Sequence, residues 1–323
     1  MMDATRLVVM ALVAGLACPA AGLAAEQYPA KPVRIVVPFT PGGSNDLVGR
    51  ILAQKLSDAW GQPVIVDNRP GGGSTIGIEL VTRATPDGYT VLATSGGIAI
   101  NVWLYRLSFD PVKDLTPIVL MARMPYVLAV NPSVPAKSTM ELVNLARAQP
   151  GKLAFSSSGA GTSTHLTMEM FMSMTKINML HVAYKGGGPA LNAVMSGETQ
   201  VIFNVVTGSL PHARSGKLRA LAVSSAKRTE IAPELPTIAE SGAPGFEVIA
   251  WYNMFAPAGT PSRIVARINA EANRALQQPD VLARFRKLGV TPLGSTPKEL
   301  GDYLKFEIDR WGKLIKEISL KLK

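Results

Sequence analysis

The chain has 323 residues, enough for about two domains, and 47% of them are hydrophobic against 17% charged, which excludes a disordered chain. Aromatics make up only 6%, so the expected core is aliphatic. The net charge is +10, but the basic residues are scattered singly or in pairs without interleaved aromatics, which favours solubility and anionic partners over nucleic acid.

The first predicted element is an export signal. Arg6 precedes the apolar stretch from Leu7 to Ala17, and small residues lead through "AAGLAAEQ" to cleavage near Ala24 or Ala25. That stretch is short of the roughly 20 residues a membrane span needs, and an uncleaved anchor is the alternative. Cys18, the only cysteine, falls inside the signal. Gly15 stands three residues before it, where a lipoprotein signal carries a branched aliphatic, so lipid attachment is disfavoured. A mature chain without thiols suits an oxidising periplasm.

Next comes an alternating series. "VRIVV" (Val33–Val37) reads as a buried strand. Leu47, Val48, Ile51, Leu52 and Leu56 then recur at helical spacing, and Gly61 with Pro63 stops that helix. "VIV" (Val64–Val66), a helix through Ile78 and Val81, and a strand over Tyr89–Ser95 complete a βαβαβ pattern, which implies a parallel sheet covered by helices. A second series is expected from "YVLAV" (Tyr126–Val130). A capping box at Ser138 and Glu141 opens a helix to about Ala148. "LAFSS", a helix from about Thr164 to Met174, "HVAY", a helix from about Pro189 to Met195, "VIFNVV" and "LRALAVS" follow. The last third is read as helical, with starts at Thr260–Pro261 and at Thr296–Pro297 with Glu299. The turn-rich connection Pro233–Glu247 returns the chain to its first half. The expected division is a signal at 1–25, a discontinuous domain at 26–125 and 251–323, and a continuous domain at 126–250.

Catalytic and cofactor motifs are not found. Of the three histidines, His165, His181 and His212, none has metal-ligand spacing. His181 is expected just before a strand, and His212 in a surface turn. "GTSTH" lacks the second glycine of a nucleophile elbow, so Ser163 reads as a helix start. "GGGSTIG" is neither a P-loop nor a dinucleotide fingerprint, since Ile76 stands where the third glycine belongs. The methionines Met168, Met170, Met172 and Met174 read as packing residues.

What recurs is a polar corner where strands end. "PFTPGGSND", "NRPGGGSTIG", "TSGG" (Thr94–Gly97), "SSSGAGTSTH", "YKGGGP" and "NVVTGS" are all rich in Gly, Ser, Thr or Asn. Ligands of open parallel sheets lie beyond the carboxyl ends of the strands. Helix N-termini there offer unpaired N–H groups and partial positive charge, and glycine admits close approach. Several such ends in one cleft would hold a carboxylate without arginine. Single residues stay open: Asp46 fits a helix cap or a ligand contact, Lys185 a carboxylate partner or a solvated charge, and Phe39 a ligand wall or the core.

Taken together, "YPAKPVRIVVPFTPGGSNDLVGRILAQKL", "VIVDNRPGGGSTIG", "PDGYTVLATS", "SSSGAGTSTH", "YKGGGPALNAVMSGE", "SGKLRALAVSSAKR" and "PTIAESGAPGFE" resemble the Bug receptors, the extracytoplasmic solute receptors of tripartite tricarboxylate transporters. The resemblance implies an α/β, two-domain periplasmic binding protein of type II-like fold, with a hinge and an interdomain ligand cleft. It implies a non-catalytic, monomeric receptor for a small carboxylate, without cofactor or metal, that serves membrane permease subunits; a ligand-sensing protein for a signalling partner, or less favoured an enzyme acting on carboxylates, is the alternative. Carried over by motif, the ligand-binding set is Phe39, Pro41, Gly42, Gly43 and Asp46 in the first loop and Gly71, Gly72 and Gly73 in the second. The other domain adds Ser158, Gly161, Thr162, Ser163, His165, Tyr184, Lys185 and Gly186. The strand ends at Ser95, Asn204 and Thr207 complete it. Two positions depart from the family pattern. Gly72, Gly73 and Ser74 alter the second loop, and Asn204 stands where an aspartate is common.

Overall fold

The computed structural model describes residues 28–320, so the export segment at 1–25, with Cys18, lies outside the described residues. The first strand, β1 (Val33–Val37), has four of its five residues buried, as a strand covered on both faces should. Helix α1 (Ser44–Trp60) follows and stops at Gly61, which takes the left-handed conformation (φ 64°) and returns its N–H to the Ser57 carbonyl. β2 (Val64–Asn68), α2 (Thr75–Thr82), β3 (Thr90–Ser95) and α3 (Gly97–Leu104) come next. β2, β1 and β3 lie side by side and parallel, as the βαβαβ pattern predicts.

The second series begins earlier than expected. β4 runs for 16 residues, Leu115–Val130, rather than starting at Tyr126. Pro117 and Pro125 read as strand breakers because neither can donate to a ladder. The strand carries both: a register shift follows Pro117, before Val119, and Pro125 pairs in register with Ile249. Beyond it lie α4 (Thr139–Ala148), β5 (Ala154–Ser157), α5 (Ser163–Thr175), β6 (Leu180–Ala183), α6 (Gly187–Ser196), β7 (Val201–Val205), α7 (Val206–Arg214) and β8 (Arg219–Val223). The predicted box at α4 is only half formed. The Ser138 hydroxyl accepts from Glu141 N, but the Glu141 carboxylate accepts from Lys137 N rather than from Ser138 N.

The last third is not all helix. β9 (Ile249–Pro257) precedes α8 (Ser262–Leu276), α9 (Pro279–Leu288), the short β10 (Thr291–Pro292) and α10 (Pro297–Glu317). Eight of the nine β9 residues are buried, so the strand shows no alternation for a pattern search to find. Pro261 rather than Thr260 precedes α8, and the Thr260 hydroxyl donates to the Pro257 carbonyl instead of capping. α10 has the full capping box that Thr296 and Glu299 predict.

The strands form one curled sheet in the order β2-β1-β3-β9-β4-β7-β5-β6, with β8 and β10 also paired to β4. β4 joins its two parts. Leu115–Pro125 runs antiparallel to β9, and Tyr126–Val130 runs antiparallel to β7 and β8. β9 returns the chain to the first part, between β3 and β4. The carboxyl ends of β1, β3, β5 and β7 therefore turn into helices around one cleft.

Candidate ligand-binding site

A cavity of about 360 Å³ opens where these strand ends meet. Four helices begin on its wall. Gly43, Ser44 and Asn45 bring the start of α1, Thr162 and Ser163 that of α5, Gly186 and Gly187 that of α6, and Val205 and Thr207 that of α7. No side chain caps any of these four ends. Their first-turn N–H groups and the positive ends of their dipoles are therefore available to whatever enters.

The remaining wall is hydroxylic or apolar. The Ser158 hydroxyl donates to Thr162 Oγ1 at 3.2 Å and lies 2.8 Å from Thr164 Oγ1. Tyr252 donates its hydroxyl to Ser44 Oγ at 2.9 Å, and Tyr126 stands on β4 at the joint of the sheet. Burial pushes both phenols far up, partly offset by Ser163 beside Tyr126 and by Ser44 beside Tyr252, so both stay neutral. Phe39, Leu47, Leu191 and Leu288 supply carbon surface. His212 adds an imidazole to the lining. It lies in the last turn of α7 and not in a surface turn, since "VTGSLPHAR" forms a helix despite Pro211.

Ten of the nineteen residues singled out in the sequence line this cavity: Phe39, Gly42, Gly43, Ser95, Ser158, Thr162, Ser163, Gly186, Asn204 and Thr207. Asn204 is 6% exposed, and its carboxamide has no hydrogen-bond partner among the described residues. It sits against Gly208, where an added Cβ would come within 2.6 Å of Asn204 Nδ2. Thr40, Ser44, Asn45, Tyr126 and Tyr252 also line the wall and escaped the sequence reading. The hydroxyls beside "PGGSND" carried a signal. The two tyrosines, inside strands the sequence blurred, carried none.

The other nine residues stand behind the wall or outside it. Asp46 is buried and accepts from Gly42 N at 3.0 Å, Arg50 Nε at 2.9 Å and Asn68 Nδ2 at 3.0 Å. Burial alone would raise its pKa, but those donors outweigh burial and hold the carboxyl below its ordinary range. Asp46 therefore ties the first loop to α1, and Pro41 lies in that loop. Gly71, Gly72 and Gly73 make a turn whose last member backs onto the Tyr105 ring. Tyr105 in turn donates to the Ala160 carbonyl at 2.7 Å and so links the two halves beside the cavity. Tyr184 donates to Glu198, and burial together with that carboxylate pushes its hydroxyl up to about 12. Lys185 is exposed.

His165 braces the loop at Gly161. Its Nδ1 accepts from Gly161 N at 3.1 Å, which leaves Nε2–H to face Glu169 at 3.2 Å. The ring stacks on His181 with centroids 3.8 Å apart, and His181 Nε2 lies 2.6 Å from Ser157 Oγ. His181 lies inside β6 rather than before it. Burial, then the neighbouring His165, push its imidazole down to about 3 from an ordinary 6.5. The unfolded chain then takes up this proton first, so the contribution is present in full above pH 6.5 and is lost as pH falls towards 3. The expected result is a melting temperature lower by about 3 °C or more at pH 5 than at pH 7. His181→Phe, which keeps the stack on Phe155, should flatten that fall. A profile unaltered by the substitution would assign the acid sensitivity elsewhere.

The fold and its cleft define the protein as a two-domain solute-binding receptor of the periplasmic-binding-protein class. The family described as "Tripartite tricarboxylate transporter family receptor" matches residues 48–320, and the chain belongs to that family. It is 37% identical to protein BugT of Bordetella pertussis, over all of both chains. The solved structure "R. palustris Rpa4515 with adipate" superposes with a TM-score of 0.88 at 36% identity, covering 91% of this chain and all of the other. MatC from Rhodopseudomonas palustris with bound malate gives 0.84 at 32% identity, covering 89% and 100%.

Proposed function

We propose that this receptor captures a small organic carboxylate in the periplasm, without transforming it, and delivers it to membrane permease subunits of a tripartite tricarboxylate transporter. The observation that carries this reading is the meeting of four uncapped helix N-termini on one hydroxyl-lined cavity whose wall holds no Asp, Glu, Lys or Arg. Such a wall stabilises an anion through amide donors and dipoles, and its leucines suit a short carbon chain. The adipate and malate held by the related structures fall in that class. The non-catalytic reading is supported by where three of the acid–base groups lie, while His212 does line the cavity. Asp46 is consumed by Gly42, Arg50 and Asn68, His165 by Gly161 and Glu169, and Lys185 is outside the cavity.

The proposed moving bodies are residues 26–125 with 251–323, and residues 126–250. β4 and β9 cross between them and would serve as the hinge. Closure is favoured only if the ligand gains contacts in the closed form; the Tyr105 to Ala160 hydrogen bond is a protein contact that would help hold the two bodies together. A micromolar dissociation constant corresponds to about 8 kcal/mol, within reach of several charge-assisted hydrogen bonds after association costs.

Native mass spectrometry of protein purified from the periplasm, followed by calorimetry with adipate and malate, tests the reading. The expected result is a co-purified carboxylic acid and one-to-one binding with no turnover. A bound acid that is consumed would make the protein an enzyme.

A further inference from the structure

A second cavity, of about 660 Å³, shares no lining residue with the ligand cleft and lies where β4 passes from one part of the sheet to the other. Its walls come from both halves. Arg123 and Pro125 of β4, Arg286 of α9 and the β10 edge form one side, and the segment Ser225–Ile231 after β8 forms the other. Its basic side chains are Arg123, Lys227, Arg228 and Arg286, against Glu230 and Glu247. Only Arg228 is neutralised, by Glu240 at 3.0 Å. None of the ion pairs among the described residues includes Arg123, Lys227 or Arg286, and all three side chains are exposed. The floor is apolar, with Met124 and Val290 buried and Ile231, Ile249 and Leu282 half-buried.

We propose that this groove is the docking site for an acidic segment of the membrane permease. Three cations outside any ion pair, against the two carboxylates Glu230 and Glu247, leave the groove net positive over an apolar floor, which complements an acidic, aliphatic stretch of polypeptide. Because the two walls belong to the two proposed moving bodies, the groove changes width when the cleft closes. A partner seated there distinguishes filled receptor from empty without touching the solute. The inference rests on the receptor reading above and assigns that partner a place.

The test measures receptor binding to its permease in nanodiscs, with adipate or malate present at saturation. The triple variant R123E/K227E/R286E should bind the permease at least about tenfold more weakly, because repulsion replaces attraction. Raising salt from about 50 to 300 mM should weaken the wild type and spare the variant. Calorimetry with adipate and malate on the same variant should match the wild type, since none of the three residues lines the solute cavity. If the triple reversal disturbs folding, K227Q/R286Q should show about a threefold loss in its place. Wild-type permease binding by a folded triple variant overturns the proposal. So does saturation of the groove by inorganic phosphate with no effect on permease binding, which would assign it to a small anion. A wild-type receptor that never binds its permease overturns the delivery reading too, whereas failure of adipate and malate to bind counts against the solute class alone.

Discussion

Gly43→Val is expected to lower the affinity for adipate or malate by about 100-fold, equivalent to some 2.8 kcal/mol, while the melting temperature stays within about 3 °C of wild type. Gly43 is the N-cap of α1, with φ −78° and ψ 172°, an extended conformation open to any residue. A Cβ built there meets only the Thr40 carbonyl, at 3.7 Å. The backbone therefore accepts valine without strain. The cost falls on the cavity, because Gly43 lines it where the α1 N–H groups are exposed. Branched methyls there would take the space a carboxylate needs to reach those donors, and each charge-assisted hydrogen bond contributes about 1.5–3 kcal/mol. Gly186 lines the same cavity but makes a poorer probe. Its φ is +117°, and a Cβ there would stand 2.8 Å from Thr40 Oγ1, so substitution would disturb backbone and cleft together. Calorimetry and thermal melts on Gly43→Val separate the two effects. A folded variant with unaltered affinity would remove the start of α1 from the site.

The sequence made the first half legible because its signals are local. Leu47, Ile51 and Leu52 show a helical face, Gly61 a left-handed stop, and "VRIVV" a strand covered on both sides. The blurred elements are those whose residues answer to distant partners. Pro117 and Pro125 look like breaks in β4 until β9 is seen to carry the ladder past them. β9 itself is buried on both faces and shows no period. The site followed the same division. Glycine and hydroxyl corners announced Gly43, Ser158, Thr162 and Thr207, because strand ends in parallel sheets are where ligands collect. Asp46 and His165 have the chemistry of contacts but serve as braces, and only their partners, Gly42, Arg50 and Asn68 for one and Gly161 and Glu169 for the other, reveal it. Tyr126 and Tyr252 reach the cleft from strands that cross between the halves, a placement no local pattern encodes.

The largest change in specificity is expected from Asn204→Asp. Asn204 ends β7 beside the starts of α6 and α7, and Gly187 and Gly208 leave room for its carboxamide, whose Oδ1 would lie 3.3 Å from a Cβ at Gly187. It is 6% exposed and lacks a protein partner among the described residues, so both its donor and its acceptor are available to the solute. A carboxylate there would keep the shape and replace the donor with a negative charge. Two like charges about 4 Å apart at an effective dielectric near 20 repel by about 4 kcal/mol, so adipate and malate should each lose roughly 1,000-fold in affinity. Aspartate and glutamate carry an ammonium group that can face the new carboxylate. They should lose far less or gain, and the ranking of solutes inverts. Removing a neutral contact would weaken every acid alike, so the inversion is the diagnostic feature. Calorimetry of wild type and variant with all four acids measures it, and an unaltered ranking would mean that Asn204 does not face the solute.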